Sequence, residues 1–121
     1  MTMAHERTRA LQWGRESLAD IGSDETVDGL LRSRAQQILQ GYPEYAEIHN
    51  WAKGHLGAMA TASALALAQA AALFCEVGSS GSGTALTRRN LLYTRRHFPS
   101  AREFERWTKV LPASPLNGWL A

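Results

Sequence analysis

The sequence predicts an all-α protein of six helices, arranged as two tandem three-helix halves. Three observations support this fold class. The long segments consist mainly of helix-forming residues, the chain contains only four prolines, and residues 88–109 repeat much of residues 32–53. Because 121 residues can enclose one hydrophobic core, we expect a single domain over the whole chain.

The first half begins with two amphipathic helices. A stripe of leucine and isoleucine over residues 4–21 predicts the first helix, and Gly22 is expected to end it with a positive φ. Ser23 or Asp24 is expected to cap the second helix. The apolar face of that helix is predicted to comprise Val27, Leu30, Leu31, Ala35, Ile38 and Leu39.

The third helix follows a break at Tyr42-Pro43. The residue before a proline is excluded from the α region, whereas proline itself suits the first turn of a helix. We therefore expect one helix to end near Tyr42 and the next to begin near Pro43. Its residues at helical spacing are Tyr45, Ile48, Trp51, Ala52 and His55.

The fourth predicted helix spans about residues 56–77 and is rich in alanine. Residues 56–75 carry no charge, and this length would suffice for a membrane span. The many alanines and the lack of aromatic and basic anchors favour instead a buried helix at the centre of the fold. Cys75 is the only cysteine and is predicted to be a small buried apolar residue.

The second half continues with a loop and two helices. GSSGSG at residues 78–83 predicts a flexible loop, and its composition also matches that of an engineered linker. Thr84 is expected to cap a fifth helix over about residues 84–97. Phe98-Pro99 is expected to separate it from a sixth helix over residues 100–110. The tail is expected to pack back onto the domain through Leu116, Trp119 and Leu120.

The repeat extends over both halves, about residues 10–65 and 66–121. At a fixed offset of 56 positions, ten of the 56 aligned residues are identical, where chance gives about four. The matches fall at helix ends and at the aromatic-Pro breaks, where Pro43 corresponds to Pro99. We therefore predict a tandem duplication with an approximate internal two-fold axis.

Charged residues also recur at the aromatic-Pro breaks. The pairs Arg32/Glu47 and Arg88/Glu103 occupy equivalent positions in the two halves. They are predicted to form matching ion pairs across each break, with solvated, unpaired charges as the alternative.

The fifth helix differs from the second in having fewer apolar residues and more arginines. Three core-facing apolar positions of the second helix correspond to Thr87, Thr94 and Arg95, which predicts the loss of much of the apolar stripe. Four arginines with a leucine between them share an arc of about 120°. This predicted binding surface comprises Arg88, Arg89, Leu92, Arg95 and Arg96.

Arginines on one helix face are typical of surfaces that bind phosphates or acidic protein groups. We predict a non-catalytic binding module that recognises a protein partner or a second copy of itself. A nucleic-acid-binding regulator is one alternative, and a solvated face that balances an acidic first half is another. Residues 1–60 carry six Lys or Arg against eight Asp or Glu, whereas residues 61–121 carry seven against three.

No pattern of catalytic or metal-binding residues is present in the sequence. The four histidines lack metal-ligand spacing, one cysteine cannot complete a zinc site, and GSSGSG lacks the lysine of a phosphate-binding loop. We expect no enzyme activity, no cofactor and no small-molecule substrate. Trp13 and Trp119 are expected to be the more exposed tryptophans. The absence of an apolar segment at the N-terminus predicts a cytoplasmic protein.

The opening MTMAHERTRALQWGRESL and the later LRSRAQQILQGYP resemble a family of short uncharacterised bacterial proteins. Its members open with M-T-x-x-x-E-R-T-R-A and continue with L-R-x-x-A-x-x-L-L-x-x-Y-P. The resemblance covers about the first 45 residues and implies a small helical cytoplasmic protein, without an established activity. The matching residues are Glu6, Arg7, Thr8, Arg9, Ala10, Leu30, Arg32, Ala35, Leu39, Tyr42 and Pro43.

Overall fold

The computed structural model describes residues 4–52 and 61–98, which form five α-helices. These parts of the chain contain no β-strand, so the predicted all-α class is confirmed. The predicted sixth helix and the C-terminal tail lie outside the described residues. The helices are α1 (Ala4–Ser23), α2 (Gly29–Gly41), α3 (Tyr45–Ala52), α4 (Thr61–Ser80) and α5 (Ala85–His97).

Two helices end at the predicted aromatic-Pro breaks. α2 ends at Gly41, and its C-cap Tyr42 has an extended backbone. α5 ends at His97, and its C-cap Phe98 is extended as well. Because a following proline ring excludes the α region, the local sequence is sufficient to end both helices.

The N-cap residue of α5 is the one predicted from the sequence, whereas that of α2 is not. At α5 the hydroxyl of Thr84 accepts a hydrogen bond from a first-turn N–H at 3.2 Å, as an N-cap does. At α2 the prediction of Ser23 or Asp24 as the cap is wrong. Asp28 caps this helix and accepts a hydrogen bond from the N–H of Leu30 at 2.9 Å.

Gly22 lies inside α1 and does not end it in a left-handed conformation, contrary to the prediction. The helix continues to Ser23, and Gly22 has no positive φ. Its carbonyl accepts a hydrogen bond from Nε2 of Gln36 at 2.8 Å. The Gln36 side chain of α2 therefore donates the hydrogen bond that a carbonyl in the last turn of α1 needs. In a glycine-capped helix, a backbone N–H just after the helix would donate it.

The loop predicted at residues 78–83 is shorter than its composition suggests. α4 continues through Gly78 to Ser80, so only the following residues form the connection to α5. The chain reverses there through positive φ angles of 74° at Gly81 and 101° at Gly83. Glycine adopts these conformations without steric cost.

The core joins residues of all five helices around Phe74, the largest of the fully buried side chains. The Phe98 ring meets Phe74 edge-on, with 5.3 Å between the centroids. Leu30 was predicted to face the core but is 79% exposed, because it lies about 140° around the helix from the buried Ala35. The core residues are Leu11, Leu18, Ile21, Val27, Ala35, Ile38, Tyr42, Ile48, Leu67, Ala68, Ala70, Leu73, Phe74, Val77 and Leu91.

α4 is not buried on all sides, contrary to the prediction for residues 56–77. Leu65, Gln69, Cys75 and Glu76 are exposed, so Cys75 is not a buried residue. α4 packs against α2 and α5, whereas α1 packs against α2, α3 and α5. None of the helices in the described ranges is both long and apolar enough to cross a membrane.

The described helices agree with the predicted repeat in length and in buried positions. α2 and α5 both have 13 residues and begin and end 56 positions apart, at Gly29–Gly41 and Ala85–His97. The sixth helix is not described, so the six-helix arrangement and its internal two-fold axis remain predictions. Equivalent buried pairs are Leu11 and Leu67, Leu18 and Phe74, and Ile21 and Val77.

The predicted ion pair between Arg32 and Glu47 is not formed. Glu47 accepts a hydrogen bond from the hydroxyl of Ser63 on α4 at 3.1 Å, and no ion pair joins it to Arg32 in the described part of the chain. An ion pair between Arg34 and Glu76 joins α2 to α4 instead. The second predicted pair involves a glutamate outside the described residues.

Asp24 connects the loop after α1 with the start of α5. Its Oδ1 accepts hydrogen bonds from the hydroxyl and the N–H of Thr26 at 2.6 and 2.9 Å. Its Oδ2 accepts one from the N–H of Thr84 at 2.9 Å. These hydrogen bonds hold the pKa of Asp24 well below its ordinary value, and the hydrogen bond from the Thr26 hydroxyl has the largest effect.

Acid is expected to weaken this connection. A carboxyl group whose pKa falls on folding contributes stability above its unfolded pKa of about 3.9, and that contribution is lost as the pH drops toward the folded value. We expect Asp24→Ala to lower the melting temperature at neutral pH, and the difference from wild type to shrink below about pH 4. Thermal melts followed by circular dichroism across this range measure both effects. A difference that does not change with pH would contradict the role of the charge.

Candidate binding surface

α5 presents its threonines to the protein interior and its arginines to solvent. Thr87, Leu91 and Thr94 are buried. The hydroxyl of Thr94 donates to the carbonyl of Asn90 at 3.1 Å and lies 2.8 Å from the hydroxyl of Ser17 on α1. The interior side of α5 is therefore buried at both threonine positions, although polar residues stand there in place of the apolar residues of α2.

The four arginines and the leucine of the predicted binding surface lie together on the outer side of α5. We call this set the basic face: Arg88, Arg89, Leu92, Arg95 and Arg96. Leu92 is at its centre and is 64% exposed. Arg89, Arg95 and Arg96 are exposed, and Arg88 is half-buried.

Two of these arginines also contact the rest of the protein. Nη1 of Arg88 donates to the carbonyl of Ser82 at 3.0 Å, and Nη2 of Arg95 lies 3.7 Å from Sγ of Cys75. No carboxylate among the described residues forms an ion pair with any of the four. The acidic groups of the first half therefore do not neutralise the basic face by direct pairing within the described chain.

The helix dipole accounts for part of this charge. Arg95, Arg96 and His97 lie in the last turn of α5, where cations stabilise a helix by about 0.3–1 kcal/mol each. This stabilisation does not apply to Arg89 in the first turns, nor does it explain the exposure of Leu92.

A groove between α1 and α5 lies beside the basic face. One part of it has a volume of about 200 Å³ and a second part about 150 Å³. Trp13 and Tyr93 line both parts and are 37% and 48% exposed. We call this feature the α1–α5 groove. Its lining residues are Arg9, Trp13, Glu16, Ser17, Asp20, Asn90, Tyr93, Thr94, Arg96 and His97.

The two ends of the α1–α5 groove carry opposite charge. Arg9, Arg96 and His97 line one end, and Glu16 and Asp20 line the other. The two helices run in opposite directions, because the start of α1 lies beside the end of α5. The guanidinium group of Arg9 lies 5.7 Å from the ring centroid of Trp13. This cation–π contact holds the Arg9 side chain at the basic end of the groove.

The sequence interpretation missed this groove, although it identified Trp13 as an exposed tryptophan. The available signal was a stripe on α1 at i, i+4, i+7 and i+11, formed by Arg9, Trp13, Glu16 and Asp20. On one helix such a stripe is indistinguishable from a solvated face. Only the antiparallel placement of α5 brings Tyr93 against it.

No candidate metal site is present among the described residues. Within residues 4–52 and 61–98, no three His, Cys, Asp or Glu side chains lie close enough together to hold a metal ion.

Comparisons of the chain with protein-family models, with curated proteins and with solved structures gave no match. The resemblance of the first 45 residues to a bacterial family therefore remains a prediction.

Proposed function

We propose that this protein is a small, non-catalytic helical module that binds an acidic surface of a protein partner through the basic face of α5. Two tandem three-helix halves form its scaffold. The observation that carries the proposal is Leu92, which is exposed at the centre of four arginines that have no carboxylate partner among the described residues.

The chemistry of the basic face suits a protein partner. Guanidinium groups form paired hydrogen bonds with carboxylates. They are also more weakly hydrated than ammonium groups, so removing their water costs less free energy. An apolar side chain surrounded by such groups can be buried by a partner while the arginines bind acidic residues around it. The contacts of Arg88 and Arg95 with the protein itself restrict these two side chains before binding, which reduces the entropic cost of association.

A cross-linking experiment tests the proposed surface. A photoreactive amino acid introduced at position 92 is expected to yield one discrete cross-linked protein in cells that produce the chain. The matched control carries the same amino acid at position 30, because Leu30 is also an exposed leucine of a 13-residue helix but has no four-arginine surround. We expect no discrete product at that position.

Charge reversal completes this test. Arg89→Glu is expected to abolish the product at position 92, because it reverses one of the charges of the basic face. Arg89 has no role in the described contacts, so we expect the variant to keep its fold. An equal yield from positions 30 and 92, or a product that survives Arg89→Glu, would contradict binding through the basic face.

Nucleic-acid binding through the same face is the second candidate function. It is favoured by the four guanidinium groups alone, since an exposed leucine contributes nothing to phosphate contacts. If all four arginines contact phosphates, the logarithm of the affinity for random duplex DNA should fall with the logarithm of salt concentration with a slope of about −3.6. Arg89→Ala combined with Arg96→Ala should reduce that slope by about half. Absence of binding at low salt would exclude this candidate.

A further inference from the structure

We propose that the α1–α5 groove is a self-complementary interface through which two copies of this chain form a symmetric dimer. The groove adjoins the basic face and shares Arg96 with it, but its acidic end and its two aromatic residues lie outside that face, so this inference does not rest on the proposed function. It rests on the distribution of charge along the groove, on the two aromatic side chains at its centre and on the geometry that a two-fold axis imposes.

The charges of the groove are balanced and separated. Two arginines, Arg9 and Arg96, lie at one end, and two carboxylates, Glu16 and Asp20, lie at the other. Along α1 the basic and acidic groups are about 10–16 Å apart, because each helical residue advances the chain by about 1.5 Å. They are too far apart to neutralise one another, and no ion pair joins them in the described structure.

A second copy provides matching charges. A symmetric dimer brings the same patch of both copies together, so the patch has to complement itself. A two-fold axis that crosses the groove at right angles reverses its direction in the second copy. The basic end of each copy then faces the acidic end of the other, and the two halves of the interface are identical.

The aromatic residues lie where that axis would pass. Trp13 follows Arg9 by four residues and precedes Glu16 by three, so it lies midway between the charged ends. Tyr93 of α5 lies at the same level, because both cavities of the groove share these two residues. Each aromatic ring would therefore meet the corresponding ring of the second copy and lose its exposed area to the interface.

The groove is small for a stable dimer, which sets the expected affinity. Standard interfaces use about 20–30 residues on each side, and the groove offers fewer. We expect a reversible dimer with a dissociation constant in the micromolar range, weakened by salt. Sedimentation equilibrium over a range of protein concentrations measures this constant. A protein that stays monomeric at concentrations of several hundred micromolar overturns the proposal.

Charge reversal followed by mixing tests the geometry. Arg9→Glu with Arg96→Glu gives a chain whose groove is acidic at both ends, and Glu16→Lys with Asp20→Lys gives one that is basic at both ends. Each double variant alone is expected to dimerise at least 10-fold more weakly than wild type, because like charges meet at both ends. An equimolar mixture of the two is expected to form a heterodimer, since opposite charges then meet at both ends.

The mixture also separates a broken interface from a broken fold. A misfolded variant cannot regain dimerisation by mixing, and circular dichroism melts of each variant check the fold independently. The control is Arg89→Glu, which changes the basic face but not the groove and is expected to leave dimerisation unchanged. The proposal is overturned if the two double variants are folded but remain monomeric when mixed. It is also overturned if Arg89→Glu abolishes the dimer, because self-association would then involve the basic face.

Discussion

Replacing Phe74 with alanine is expected to destabilise the protein by about 3–5 kcal/mol. Phe74 is the largest of the fully buried side chains, at 1% exposure, and its ring contacts Phe98 edge-on. The substitution removes a large apolar surface from the core and leaves a cavity that the surrounding helices only partly close. For a domain of this size, we expect the melting temperature to fall by about 12–20 °C, which calorimetry measures directly.

The control for this prediction lies on the same helix. Leu65 is an exposed residue of α4, and Leu65→Ala is expected to change the free energy of unfolding by less than about 0.5 kcal/mol. If the two substitutions had similar effects, α4 would not pack against the rest of the fold through Phe74. Phe74→Leu is expected to give an intermediate loss, since it keeps much of the apolar volume.

The sequence predicts some helix ends correctly, namely those at which residues within one turn are sufficient to end the helix. α5 illustrates this, because the Thr84 cap at its start and Phe98-Pro99 at its end act within one turn of the helix. α2 illustrates the opposite case. Ser23, Asp24 and Asp28 can all cap a helix, and a contact between Asp24 and Thr84, 60 residues apart, engages one of them elsewhere.

The burial of α4 is not predictable from its composition. Alanine carries too little apolar surface to indicate whether its side of the helix is buried, so a helix rich in alanine reads as apolar on all sides. In the structure Ala70 is fully buried, whereas the exposed Leu65, Gln69 and Glu76 mark the open side. Position in the fold decides between these environments, and the sequence does not encode it locally.

The basic face could be predicted from the sequence, whereas the groove could not. The basic face lies on one helix, so its five residues could be identified from helical spacing alone. The groove requires two antiparallel helices whose facing residues are about 80 positions apart in sequence, and the α1 stripe is not distinctive by itself. Contacts such as that between Ser17 and Thr94, which fix the two helices side by side, become visible only in the folded chain.

Gly14 illustrates how closely α1 is packed against its neighbours. A Cβ atom at this position would contact the hydroxyl of Tyr42 and would lie 2.7 Å from Cε2 of Phe98. Tyr42 cannot readily move away, because its hydroxyl donates to the carbonyl of Leu11 and its own carbonyl accepts from Arg15 at 3.2 Å. Burial also raises the pKa of Tyr42 well above its ordinary value, which keeps the hydroxyl protonated as a donor.

Gly14→Ala is therefore expected to destabilise the protein, although alanine is the better helix former. The gain in helix propensity is about 1 kcal/mol, whereas forcing an additional methyl group into a packed interior costs about 1–3 kcal/mol. Because the contacts involve a buried ring and a hydrogen-bonded hydroxyl, we expect the cost to exceed the gain and the free energy of unfolding to fall by about 1–2 kcal/mol. Urea denaturation curves for the variant and wild type measure this difference.

The same substitution in α4 is expected to have the opposite effect. A Cβ atom at Gly78 would contact the guanidinium group of Arg95, the free end of an exposed side chain that can turn toward solvent. Gly78→Ala should therefore retain the propensity gain, reduced to about 0.5 kcal/mol by its position in the last helical turn. It should also move Arg95 away from Cys75 and leave a third unrestrained guanidinium on the basic face. If both substitutions destabilised the protein equally, close packing around Tyr42 and Phe98 could not be the cause of the loss at Gly14.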